Sequence, residues 1–264
     1  MKSKKPAIPY LLWRALFTIV PLGIIMYSAF TNSSGQFTLD SFKNALFYKD
    51  VFWHSFKIAA MSTGICLLIA YPLSYIISRS KPHIQKFLVM LVMLPMWLNF
   101  LLRVYAWVLL LQKGGMLDVA VKILGLDVSL IGNSGAVVLG MVYEYLPFMV
   151  LPIYSVMGKI DNRLVEAAQD LGCSGFHVFS RVVLPLSVPG IISGITMVFV
   201  PSASTFLVSQ YLGGTGDLMI GDVIEKIFRG DQNTGSAISL ILMIAILLLL
   251  VIMNRFGDEE VAVV

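Results

Sequence analysis

Two oppositely charged side chains, Arg103 and Glu144, fall deep inside long apolar runs, where a charge costs at least ~2.5–3.5 kcal/mol on insertion scales. Each therefore needs a partner or a task. Two chemistries are open to them: a buried ion bridge that orders neighbouring helices, or a Glu144 carboxylate that receives a cation while Arg103 turns to another neighbour. Trp97, Tyr105, Trp107, Tyr143 and Tyr145 lie near them in sequence, and aromatic faces attract ammonium groups. Aromatic side chains also pack and anchor at membrane interfaces, so the binding role competes with a plain one.

Several familiar chemistries are excluded. There is no GxxxxGK[ST] phosphate loop, so ATP has no P-loop in this chain. His54, His83 and His177 are scattered, with no HExxH or GxSxG pattern to build a metalloprotease or hydrolase, and no metal site or catalytic residue is expected. Cys66 and Cys173 fall at different depths and are not expected to pair.

The elements that must hold these residues are membrane helices. The chain of 264 residues is 58% hydrophobic and 13% charged, well away from the ~45–50% and ~25% of soluble domains. A bilayer core about 30 Å thick takes ~20 apolar residues per helix, which places six spans near 10–30, 54–78, 87–111, 134–157, 187–209 and 236–254. The expected fold class is an all-α membrane protein, with residues 1–264 as one transmembrane domain. Lys2, Lys4 and Lys5 before an apolar run that ends near Ser28 and Ala29 also suit a signal peptide, but the run is long enough to span and nothing after it resembles a secreted domain.

Six spans put both termini on one side of the membrane. Of the 19 Lys and Arg residues, eleven fall on the termini side, seven on the other and Arg103 within a span, so the termini are expected in the cytoplasm. A net charge of +4 would suit nucleic acid, yet no basic cluster is interleaved with exposed aromatics. Lipid is the expected neighbour, and no nucleic acid.

Between the first two spans, Phe42, Leu46, Phe47 and Phe52 follow starts at Thr38 and Asp40, predicting a short amphipathic outer helix. Outer residues 210–235 carry Asp217, Asp222, Glu225 and Asp231; these read as a solvated loop, or as a surface that docks an external partner or attracts a cation. Transport pathways often use helices broken near the midplane. Three spans qualify: the third with Pro95, the fourth with Pro147 and Pro152, and the fifth with Pro201 followed by Ser202, Ser204 and Thr205. Gly190 and Gly194 in GIISG allow close helix packing, within the chain or against a sister chain.

Residues 158–186 are unusual, because a connection between packed helices is commonly about two to eight residues long. Asp161 can cap a helix NRLVEAAQDL with Ile160, Leu164, Ala167, Ala168 and Leu171 on one face, and Gly172 sits where a left-handed cap is wanted. Ser174 is expected to cap a second helix, FHVFSRVVL, stopped by Pro185. The product is a helix, a glycine corner and another helix, suited to a groove on another protein or to lying on the bilayer.

The run Glu166-Ala167-Ala168, then Gly172, Val182, Leu184 and Pro185, resembles the EAA loop of ATP-binding-cassette (ABC) importer permeases, with Val182 where isoleucine is usual. The segments from Pro95 to Trp107, Tyr145 to Ser155 and Gly213 to Ile224 are similar to the matching parts of spermidine/putrescine permeases, and the similarity covers nearly the whole chain. Permeases for sulfate, iron or phosphonates share the scaffold. The resemblance implies a type I (MetI-like) permease fold in a bacterial plasma membrane, with the elbow as a coupling helix. It also implies a second homologous permease chain, two ATPase subunits that carry ATP and magnesium, and an extracellular polyamine-binding protein. Trp97, Tyr105, Tyr143, Glu144, Ser202 and Ser204 are the expected pathway residues, Glu144 from its place in the apolar run rather than from the family pattern. A gradient-driven carrier with Glu144 as its ion site is the competing class.

Overall fold

The computed structural model describes residues 8–32, 34–125 and 128–261; Lys2, Lys4 and Lys5 lie outside them. Among the described residues the regular structure is helical, apart from one isolated bridge between Thr31 and Phe37. Five helical stretches are long and apolar enough to cross a membrane, and a shorter apolar helix from Trp13 to Ala29 precedes them. That segment belongs to α1 (Ile8–Ala29), whose 22 residues extend about 33 Å. Among the described residues the fold is all-helical, with one large buried cluster and two smaller ones.

The outer helix predicted after the first span is only α2 (Asp40–Ala45), and a single 3₁₀ turn links it to α3 (Lys49–Arg79). The helix that carries the second span therefore starts earlier than residue 54. Its 31 residues reach about 46 Å, more than a bilayer core, so the first turns of α3 rise above the membrane. There they meet the outer elements described below.

The third apolar run is two helices. After α4 (Pro82–Met93) comes a 3₁₀ turn, Leu94–Trp97, then extended backbone at Leu98, and α5 (Phe100–Leu111) follows. Pro95 supplies no N–H for an α-helical bond, and Asn99 restarts the helix by accepting a hydrogen bond from the Leu101 N–H at 2.9 Å. A short helix, α6 (Met116–Ile123), completes this region.

The central helix is α7 (Ser134–Met157), which runs unbroken through Pro147 and Pro152 and packs against α3 and a later helix, α10 (Leu184–Ser204). Met141, Met149, Val150 and Ile153 of α7 form the core with Cys66, Ala70 and Ile77 of α3. A side chain at Gly190 would meet the Pro152 carbonyl oxygen at 3.0 Å, and one at Gly194 would meet the Met149 sulfur at 2.7 Å. The two glycines thus serve the packing of α10 on α7 within the chain.

Between α7 and α10 stand α8 (Asn162–Asp170), α9 (Gly175–Val178) and a widened, π-type turn, Phe179–Val183, that leads directly into α10. Pro185 does not stop a helix as expected. It occupies the first turn of α10, where a missing N–H is tolerated, and the widened turn takes up the local misfit of its ring. The fifth apolar run ends at Ser204, not near 209; after two non-helical residues α11 (Leu207–Leu212) begins, then α12 (Ile220–Phe228) and the last span, α13 (Gln232–Val261).

Candidate functional site

The elbow stands apart from the core. Asp161 caps α8 by accepting from the Arg163 N–H at 3.0 Å. Gly172 turns the chain at a φ of 82°, a left-handed value that lets the Cys173 N–H reach the Ala168 carbonyl at 3.1 Å. Ser174 makes no backbone cap; its hydroxyl pairs instead with His177 Nδ1 at 2.7 Å, which removes it from the helix end. Glu166 and Ala167 are exposed, Ala168 is half-buried, and Leu184 and Pro185 are exposed where α10 starts. Leu171 is 86% exposed and Phe176 is 75% exposed, so the elbow presents an apolar tip on either side of its glycine corner.

Arg103 of α5 and Glu144 of α7 meet at 2.8 Å, Nη1 to Oε2. The approach is an ionic contact and not an aligned hydrogen bond, since neither atom has a hydrogen-bond partner of proper geometry. Glu144 is 1% exposed, enclosed by its own chain. The Arg103 guanidinium also lies 5.7 Å from the centre of the Phe100 ring. Next to Glu144, the Tyr145 hydroxyl lies close to the Thr205 side chain, at the point where α10 has just ended. One polar cluster therefore joins the restarted α5, the central α7 and the broken end of α10.

The other expected pathway residues are spread around this cluster. Trp97 is 73% exposed on the 3₁₀ turn. Tyr105 is exposed and its ring lies 4.9 Å from Tyr211 of α11, while Tyr143 meets the edge of Trp107 at 5.4 Å. Ser202 is buried with a hydroxyl that has no partner among the described residues, whereas exposed Ser204 donates to the Val200 carbonyl. The structure brings Arg103, Glu144, Tyr145 and Thr205 together and leaves Trp97 and Ser204 at the surface.

Sequence reasoning treated the outer acids as a solvated or docking surface, but each is used within the chain. Asp217 bonds to Ser134 at the start of α7 and faces His54 Nε2 at 3.9 Å. Glu225 pairs with Arg229, and Asp231 accepts from the N–H groups of Asn233 and Thr234 at the start of α13. Asp222 is buried, where it accepts from the Ser209 hydroxyl at 2.6 Å and the Met219 N–H at 2.8 Å. Ser55, on the raised end of α3, accepts from the Ile220 N–H at 2.7 Å. The only sequence signal for this latch was an Asp three residues after a helix start.

Burial pushes the Asp222 carboxyl above the usual carboxylate range, and the hydrogen bonds from Ser209 and Met219 pull it partly back. A carboxylate raised in the folded state contributes stability that is full below its unfolded pKa and fades as pH rises through the raised value. Asp222→Asn keeps an oxygen to accept both bonds and never ionises. At neutral pH it should match or exceed the wild type by roughly 1 kcal/mol, and the difference should shrink or reverse on acidification. Thermal unfolding of the solubilised protein across pH checks this; a large loss in Asp222→Asn at neutral pH would refute it.

A chain with an all-helical membrane core, a broken end on α10 and a projecting elbow can be compared with known proteins. Residues 7–258 match the family described as "Binding-protein-dependent transport system inner membrane component". The chain belongs to this family. It is a multi-pass inner-membrane permease of ABC-importer type, a transport subunit and not a catalytic one, and its family works with an ATPase and a binding protein. It is 36% identical over 256 residues to the "Spermidine/putrescine transport system permease protein PotB" of Haemophilus influenzae, covering 92% of this chain and 90% of that one. Among solved structures it is similar to a chain of a bacterial ABC transporter involved in the import of the acidic polysaccharide alginate. The TM-score there is 0.74 at 18% identity, over 95% of this chain and 93% of that one. A structure of bacterial alginate ABC transporter in complex with alginate pentasaccharide-bound periplasmic protein gives 0.74 at 16% identity, over 96% and 92%. These two likenesses concern the fold.

Proposed function

We propose that this permease forms half of a translocation pathway for polyamines of the spermidine/putrescine class, coupled to its ATPase through the elbow of residues 158–186. The observation that carries the substrate class is the 36% identity to the Haemophilus influenzae spermidine/putrescine permease over 92% of this chain. The polar cluster of Arg103, Glu144, Tyr145 and Thr205 supports the reading, because it lies at the break of α10 and combines a carboxylate with an aromatic hydroxyl. In this assignment a second homologous permease supplies the other half, two ATPase subunits drive the cycle, and an extracellular polyamine-binding protein delivers the solute. Residues 1–264 act as one permease domain with both termini in the cytoplasm. Glu166, Ala167, Ala168, Gly172, Leu184 and Pro185 form the ATPase contact and its root.

The test is uptake of labelled spermidine into vesicles holding the assembled transporter. Uptake that needs the binding protein, the ATPase partner and ATP is the expected result. Uptake that persists on an ion gradient without the ATPase would make the chain a secondary carrier. ATP-driven uptake of a different solute, with none of spermidine or putrescine, would keep the importer and overturn the polyamine assignment.

A further inference from the structure

A short helix that faces water turns its charges out, and α6 does the reverse. Asp118 and Lys122 share one side of its eight residues, where Asp118 is closed off from solvent and accepts from the Gly114 N–H at 2.8 Å and from Lys122 Nζ at 2.8 Å. The opposite side carries Met116, Val119, Ile123 and Leu124 at helical spacing. Met116 is 78% exposed, Ile123 80% and Leu124 76%. So much apolar surface on two turns is costly in water. The face needs an apolar cover.

The position of α6 says what that cover is. α4 and α5 have twelve residues each, about 18 Å apiece, and with the turn between them they span the ~40–45 Å of a bilayer and its headgroup layers. Leu111, the last residue of α5, lines one cavity with Ala136 and Leu139 near the start of α7, the end away from the elbow. The end of α5 thus lies at headgroup level on the face opposite the elbow. Gly114 turns the chain there at a φ of 81°, and a side chain at Gly115 would meet the Leu109 and Leu110 carbonyl oxygens at 2.5 Å, so α6 begins directly on the end of α5. Leu109 is itself 62% exposed on this membrane-crossing stretch, where lipid covers it, and α6 continues the same surface. Exposed Lys113 stands in the turn between the two helices, at the level of the phosphates.

We propose that α6 is an interfacial anchor that lies in the headgroup layer opposite the elbow, with Met116, Val119, Ile123 and Leu124 sunk against the lipid chains. A soluble binding protein suits this face less well, because it leaves in each cycle and would return the apolar side chains to water. Lipid stays in place throughout. Held in that layer, α6 fixes the far end of α5, the helix whose Arg103 meets Glu144 of α7.

The experiment is photo-cross-linking of the assembled transporter, with its binding protein present, in vesicles of phosphatidylethanolamine and phosphatidylglycerol. A benzophenone-bearing phenylalanine in place of Met116 or Ile123 should give lipid adducts over protein adducts by roughly fivefold or more, read by mass. Adducts made mainly with the second permease or with the binding protein overturn the proposal. Amide exchange across residues 116–124 is the second measurement. Ile123→Asp should speed it roughly tenfold, because a carboxylate is expelled from the lipid boundary, while Ile123→Trp should leave it slow, since an indole suits that boundary. Unchanged exchange in Ile123→Asp, or exchange as fast in Ile123→Trp as in Ile123→Asp, overturns the proposal, the latter because a fitted protein pocket rejects both. Should Ile123→Asp not assemble, the adduct masses and the Ile123→Trp result decide.

Discussion

Glu166→Ala and Gly172→Val should each lower ATP-driven uptake by roughly tenfold or more while membrane insertion stays intact. The reasons differ. Glu166 is an exposed carboxylate on α8, free of any ion pair among the described residues, so its removal costs nothing inside the chain and acts on what the elbow touches. Gly172 holds a φ of 82°, which a β-branched side chain adopts at a cost of about 1–2 kcal/mol or more. Valine there would open the corner between α8 and α9 and move Leu171 relative to Phe176, the two apolar residues of the tip. From Gly175 the elbow runs unbroken through the widened turn into α10, and the Gly172 corner fixes α8 to that helix, so a push on a rigid elbow reaches the broken end of α10 and a push on a slack one does not. Uptake and co-purification of the ATPase partner are the measurements. Normal values of both in both variants would remove the elbow from the coupling role.

The long apolar runs were legible because their signal is length, which the bilayer thickness sets, and the elbow because cap residues and a glycine flank an amphipathic stretch. What the sequence hid were choices made by tertiary partners. Ser174 has a capping side chain, but His177 lies within reach and takes its hydroxyl. Pro185 reads as a stop signal, yet proline is equally at home in a first helical turn, and only the widened turn before it decides between the two. The outer acids read as solvated because charge predicts exposure; Asp222 is nevertheless buried, since Ser209 and the Met219 N–H lie where a carboxylate can accept from both. Pro95 marks the break in the third run, but the restart depends on Asn99, one polar residue in an apolar stretch. The meeting of Thr205 with Tyr145 joins residues 60 positions apart, and no local pattern announces it.

Arg103→Leu should destabilise the folded chain by about 3–5 kcal/mol, because it strands Glu144 inside the bundle with no counter-charge. The doubly substituted chain, Arg103→Leu with Glu144→Leu, should recover most of that loss, since two apolar side chains remove both charges at once. A thermal-unfolding double-mutant cycle on the solubilised protein measures the coupling, and additive losses would mean that the 2.8 Å contact contributes nothing. Stability alone does not separate a bridge from a solute site, but uptake does. Glu144→Gln keeps the shape of the side chain and removes its charge, so a pathway that offers this carboxylate to an ammonium group should lose roughly tenfold in spermidine uptake at an unchanged assembly level. The doubly substituted chain should then be stable and still transport poorly. If it transports as the wild type does, the carboxylate serves only to hold α5 against α7, and the cation-attracting surface of the pathway has to come from other groups or from the second permease.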